Sequence, residues 1–307
     1  MLSLRVAAMV VTIGAGVAIA ATDARSEPRL GTTPTARFQE LLKDKAHTYS
    51  PIVFSSLPPE PSLPVQPQLI NGDPVDPRYF PTVFRTTKGG PCTAELVGEA
   101  ALLTAAHCVP SSGLIKLTLG TQEIGALCER APGYNPPVNR SEDWALCLLE
   151  FPVVGISYET IDTRVPEPGT SATLMGYGCT REGGPRDGKL RIGLSETVDR
   201  ETATVTVDGQ TVKLPVETST IYTKSSIGVG GGAILCPGDS GGPLFIVFGN
   251  SFNDARSLAG VNSRTTFGFG VSLFAATASV EGRQFFREWT ERHGQKICGI
   301  NSDQNCR

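Results

Sequence analysis

The chain has 307 residues and a formal net charge of -3, enough length for one or two domains around a substantial core. That balance leaves no basic surplus for a nucleic-acid partner. The eight cysteines, all beyond residue 90, are an even set, and behind an export signal such a set reads as disulfides formed in an oxidising compartment. The competing zinc reading needs paired C-x₂₋₄-C spacings with histidine nearby; the sequence has none, so neither a metal nor any other cofactor is expected.

The first residues carry one cation, Arg5, followed by an apolar run from Val6 to Ala21 that contains Ala18-Ile19-Ala20, a small-x-small cleavage pattern. The run is shorter than the ~20 residues of a membrane span. Residues 1–20 are therefore read as a signal peptide, and the protein as secreted, extracellular or periplasmic. Residues 21–69 follow as a Pro-rich prosegment or linker. Thr35 to Ala46 is expected as one short helix, and Ser50 to Gln68 carries six prolines.

From residue 70 to 307 short apolar runs alternate with Gly, Pro and Asn. Leu114–Gly120, Trp144–Phe151 and Ser171–Gly178 read as strands. Ala203–Leu214 alternates on both sides of Asp208-Gly209, a strong hairpin signal. Only the segment from Val280 has helical spacing, with Phe285, Phe286 and Trp289 on one side and Gly294 as a stop. Many strands and one helix predict an all-β fold, an antiparallel barrel or sandwich.

Three histidines are present: His47, His107 and His293. His107 closes LLTAAHC; Asp143 stands in SEDWALCLLE and Ser240 in CPGDSGGP. Acyl transfer needs these three side-chain types. A serine hydroxyl attacks well only when a neutral imidazole takes its proton, and a carboxylate fixes the tautomer of that imidazole. The oxyanion that forms needs N–H donors, each worth about 2.7–4 kcal/mol. Gly238 and Ser240 can supply them, because Gly238 has no side chain in the way. The same five residues also fit G-x-S-x-G, the nucleophile elbow of α/β-hydrolases. That fold requires the order Ser, acid, His on a parallel sheet; here the order is His, Asp, Ser on an all-β background.

TAAHC and GDSGGP together resemble the trypsin/chymotrypsin-like serine proteases, and further matches occur in the same order along 70–307. INGD at Ile70–Asp73 resembles the family's mature N-terminus. APGYN at Ala131–Asn135 and DWAL at Asp143–Leu146 resemble the approach to its catalytic Asp. MGYG at Met175–Gly178 and LAGVNS at Leu258–Ser263 resemble two further family segments. Three departures stand out. Thr93 and Ala94 replace the usual Gly-Gly, Arg264 replaces a Trp at the rim of the cleft, and no Cys follows Ser240 before Cys298.

The resemblance implies two packed six-stranded antiparallel β-barrels with a C-terminal helix. It implies a serine endopeptidase with Ser240 as nucleophile, His107 as general acid/base and Asp143 as orienting carboxylate; a catalytically silent binding protein on the same scaffold is the alternative. The implied partners are protein or peptide substrates and a protein inhibitor, with no nucleic acid, no membrane after signal cleavage, and a monomeric state. Cleavage before Ile70 would free an ammonium for Asp239, activating a zymogen. The family places a specificity pocket at Ile234, Ser263, Thr265 and Gly270. An uncharged Ile234 disfavours Lys or Arg there, because a buried cation without a partner is costly. Cleavage after apolar residues follows, and the enzyme's own Leu69–Ile70 bond is then a substrate. The resemblance pairs Cys92 with Cys108. The other six cysteines are paired by elimination as Cys128–Cys147, Cys179–Cys236 and Cys298–Cys306, an order that a Cys236–Cys298 link would overturn.

Overall fold

The computed structural model describes residues 70–307 except 71, 120–121, 137, 200–203, 208–209, 214–216, 226–230 and 249–254, together with strands at 10–13, 17–20 and 52–54. The helix expected at 35–46 lies outside the described residues. Strands β1 (Val10–Ile13) and β2 (Val17–Ala20) pair antiparallel within the early apolar run, whose β-branched residues favour extended backbone. Strand β3 (Ile52–Phe54) lies within the segment read as a linker; it pairs with β2 and runs parallel to a short strand at Val153–Val154. Ile52 is buried against the first barrel, and its N–H donates to the Pro152 carbonyl at 2.7 Å.

After the short β4 (Asp73–Pro74), the first barrel comprises β5 (Val83–Lys88), β6 (Thr93–Leu96), β7 (Ala101–Thr104), β8 (Leu114–Leu119), β9 (Gln122–Arg130) and β10 (Ala145–Leu149), closed in the order β10-β7-β6-β5-β8-β9. Strand β11 (Val153–Val154) leads to the connection between the barrels. The second barrel comprises β12 (Ser171–Gly176), β13 (Arg191–Val198), then, beyond a hairpin of β14 (Thr204–Val207) and β15 (Gln210–Lys213), β16 (Thr220–Lys224), β17 (Pro243–Val247), β18 (Arg256–Thr266) and β19 (Val271–Ala276). Its order is β12-β17-β18-β19-β16-β13, closed by β12–β13 pairing, with β4 added on β13. Helix α1 (Val280–His293) follows β19.

Strand β10 shows why the sequence reads as continuous apolar runs. Ala145, Cys147 and Leu149 face the interior of the first barrel, whereas Leu146 and Leu148 join a second core between the barrels. Period-2 alternation persists, but both faces are apolar because both are covered. The inter-barrel core also takes Val261, Leu258 and Phe245 from the second barrel and Phe285, Phe286 and Trp289 from α1. Helix α1 begins where Ser279 accepts the Gly282 N–H at 3.0 Å and stops at Gly294, whose φ of 63° is left-handed. The cysteines form Cys92–Cys108, Cys128–Cys147, Cys179–Cys236 and Cys298–Cys306, the four pairs expected from the sequence.

Candidate active site

Three loops at the junction of the barrels bring the candidate residues together. His107 sits in a 3-10 turn, Ala106–Cys108, directly after β7. Ala105 and Ala106 are wholly buried, and the Cys92–Cys108 disulfide ties the turn to the start of β6. Asp143 precedes β10 and is anchored by Trp144, which is fully buried and meets Phe286 of α1 edge-on at 6.1 Å. One Asp143 oxygen accepts the His107 backbone N–H at 2.9 Å. The other lies 2.7 Å from His107 Nδ1 and accepts the Ser263 hydroxyl at 2.6 Å. The carboxylate is 2% exposed while the imidazole remains one-third open. An anionic Asp143 assigns the proton to Nδ1 and leaves Nε2 free to accept another.

Ser240 lies in the loop before β17, and Cys108 Sγ is 3.6 Å from its carbonyl oxygen. Among the described residues no hydrogen bond joins the Ser240 hydroxyl to the imidazole, a link that often tightens only when substrate binds. The glycines of this loop have steric reasons. Gly238 has a φ of 110°, and an added Cβ would lie 2.9 Å from Gly178 Cα. Gly241, with a φ of 82°, would collide with Thr104 and the Thr93 carbonyl.

Thr93 is a functional candidate that sequence reasoning recorded only as a departure. It is wholly buried and touches both sides of the serine loop. Its N–H donates to the Ser240 carbonyl at 2.8 Å, and its hydroxyl donates to the Gly238 carbonyl at 2.9 Å. The same hydroxyl accepts the Tyr177 N–H at 3.1 Å. Asp239, next to the serine, is completely buried. Its oxygens accept the Gly178 N–H at 2.7 Å and the Cys236 N–H at 2.8 Å, yet burial still pushes its pKa up to about 7. Ile70 forms a backbone bridge with Ile234, its N–H donating to the Ile234 carbonyl at 3.3 Å.

Of the expected pocket residues, Ser263 and Thr265 lie on β18 and Gly270 precedes β19. Ile234 is buried in the segment that approaches β19, where Leu235 N–H donates to the Ser272 hydroxyl opposite Thr265. The glycine stretch at 228–232 lies mostly outside the described residues. A cavity of about 200 Å³ opens beside the imidazole, lined by His107, Tyr134, Pro136, Arg140, Asp143, Ser263 and Arg264. Arg264 is ion-paired with Glu217. Cys92, His107 and Cys108 cluster tightly enough to suggest a metal site, but both sulfurs are consumed by the disulfide.

Two antiparallel six-stranded barrels with a His–Asp pair at their junction, its carboxylate buried, define the chymotrypsin fold. Residues 69–272 match the Trypsin family, and the chain belongs to it. It is 29% identical over 193 residues to a trypsin-like protease of Streptomyces glaucescens, covering 58% of this chain and 66% of that protein. It is 31% identical over 209 residues to a cercarial protease of Schistosoma mansoni, covering 57% and 73%. Among solved structures it resembles neuropsin, a serine protease expressed in the limbic system of mouse brain, with a TM-score of 0.55 and 23% identity over 72% of this chain and 97% of that one. Among the described residues no helix is long and apolar enough to cross a membrane.

Proposed function

We propose that the protein is a secreted serine endopeptidase that works through an acyl-enzyme. The observation that carries this reading is the His107–Asp143 pair: a buried carboxylate holds Nδ1 at 2.7 Å, leaving Nε2 as the base. Ser240 Oγ attacks the substrate carbonyl carbon and gives its proton to His107 Nε2. The N–H groups of Gly238 and Ser240 stabilise the oxyanion, and His107 returns the proton to the departing amine. Water then attacks the acyl carbon, passing a proton to His107, and the acid leaves as Ser240 regains its hydrogen. The uncharged Ile234 favours an apolar side chain before the cleaved bond.

Activation follows the same reading. Cleavage of Leu69–Ile70 creates an ammonium that pairs with Asp239, a carboxyl whose pKa is raised by its burial. Losing one partner of such a pair costs about 3–5 kcal/mol, so Asp239→Asn is expected to be nearly inactive with its triad intact. The test is a serine-reactive phosphonate applied after the cut. Covalent labelling at Ser240, lost in Ser240→Ala, supports the peptidase. An unlabelled, correctly cut protein identifies a silent binding scaffold instead.

A further inference from the structure

The cavity beside His107 carries an excess of cationic lining. Arg140 and Arg264 both reach it, while Asp143, its only carboxylate lining among the described residues, already serves His107 and Ser263. Glu217 offsets Arg264, to which it is ion-paired. Arg140 is exposed and has no ion-pair partner among the described residues. Glu142, nearby in sequence, accepts instead from Asn139 Nδ2 at 2.9 Å. Arg130 donates to the Val109 carbonyl and pairs with no carboxylate among the described residues. Half-buried Tyr134 feels the whole set. Burial and Asp143 raise its pKa, while Arg130, Arg264 and Arg140 pull it down.

We propose that this cavity is a subsite for an acidic side chain of the substrate, held by Arg140 and Arg264 on the N-terminal side of the cleaved bond. The inference rests on the peptidase reading and names the substrate class for it. The side of the bond is assigned from β18, where Arg264 lies between Ser263 and Thr265, the two residues that the family resemblance gives to the pocket for the residue before the cut. A chain leaving that pocket along β18 passes the cavity with the residues that precede the cut. Tyr134 and Pro136 give the cavity partly apolar walls, which strengthen the field of a guanidinium at its mouth. A carboxylate there gains charge-assisted hydrogen bonds that an amide does not.

The experiment uses cleaved, active-site-titrated protein and peptides that share an apolar residue before the cut. They differ only in having Asp, Asn or Lys at one of the three positions preceding it. At one of these positions Asp is expected to exceed Asn by about 5- to 10-fold in kcat/KM, with Lys lower again, and the ratio should shrink in high salt. In Arg140→Gln and Arg264→Gln the Asp/Asn ratio should fall toward 1, and Arg140→Glu should favour Lys. Phosphonate labelling of each variant confirms that it is folded and competent. Labelling and cleavage with no preference among Asp, Asn and Lys overturn the subsite alone. Neither labelling nor cleavage of any peptide overturns the peptidase reading and the subsite with it.

Discussion

Thr93 tests the residue scale. A single hydroxyl on β6 of the first barrel holds the Gly238 carbonyl and the Tyr177 N–H, so the loop that presents the oxyanion donors is clamped from across the cleft. Thr93→Val keeps the shape and removes both bonds. It is expected to lower kcat about 10-fold, equivalent to about 1.4 kcal/mol, with KM nearly unchanged, because the bond aligns the donors for the transition state. Thr93→Ser should restore most of the rate. Steady-state kinetics on one neutral peptide decides it; an equal loss in the Ser variant, or a change confined to KM, contradicts the positioning role. The sequence displayed His107, Asp143 and Ser240 because local phrases surround each. Thr93 had no such phrase: its partners lie 84 and 145 residues away and become visible only when the barrels meet.

Helix α1 is the element whose sequence and structure agree most closely. Its apolar residues recur at helical spacing, Ser279 caps one end, and Gly294 stops the other, all local signals. Its role, however, is not local. Phe286 and Trp289 fill the core between the barrels and support Trp144, the neighbour of Asp143. The far end is fastened to β9, where His293 lies 2.7 Å from Glu129 and Arg292 donates to it at 2.8 Å; the His293 hydrogen bond leads in holding that carboxyl down at about 2. Trp289→Ala is expected to cost about 3–5 kcal/mol through the cavity it leaves, and Ser279→Ala about 1 kcal/mol through the lost cap. Urea unfolding checks the order of the two; a larger loss from the cap than from the core residue contradicts it. Strand β3 shows the opposite case. Ile52–Phe54 sits among prolines that read as a linker, and its parallel partner β11 is about a hundred residues away, so no local pattern announces the pairing.

At the scale of the whole molecule the barrels share a charged cluster closed to solvent. Glu159, on the connection between them, and Arg256, at the start of β18, have no exposed side-chain surface and pair at 2.7 Å. Thr82 of the first barrel donates to the same carboxylate at 2.6 Å, and Phe245 lies under the guanidinium at 5.0 Å. Burial works most strongly against the Glu159 charge, but Arg256, Arg307 and the Thr82 hydroxyl together outweigh it and hold the carboxyl below its ordinary value. Arg256→Met would leave that charge buried without its ion-pair partner, at a cost of about 3–5 kcal/mol. Glu95 is also wholly buried, and neither of its oxygens has a hydrogen-bond partner. Burial and the Glu159 charge push its pKa well up, favouring its neutral form.

Glu95 and Asp239 together set how the uncut chain responds to pH. Both have folded pKa values above their unfolded ones, so above the unfolded values the folded chain binds more protons than the unfolded chain. Stability is then highest in mild acid and falls as pH rises. For Asp239 the loss runs from about pH 4 to about 7 and amounts to about 4 kcal/mol, with Arg191 the one cation moderating it. Uncut Ser240→Ala protein, which cannot digest itself, should therefore unfold at lower urea at pH 8 than at pH 5. Adding Glu95→Gln should reduce the difference, and adding Asp239→Asn should reduce it further. Cutting before Ile70 supplies an ammonium that favours ionised Asp239, so cleaved protein should lack the Asp239 share of the slope. A urea midpoint that rises from pH 5 to pH 8 in the uncut chain contradicts the argument, as does a slope that both substitutions leave unchanged.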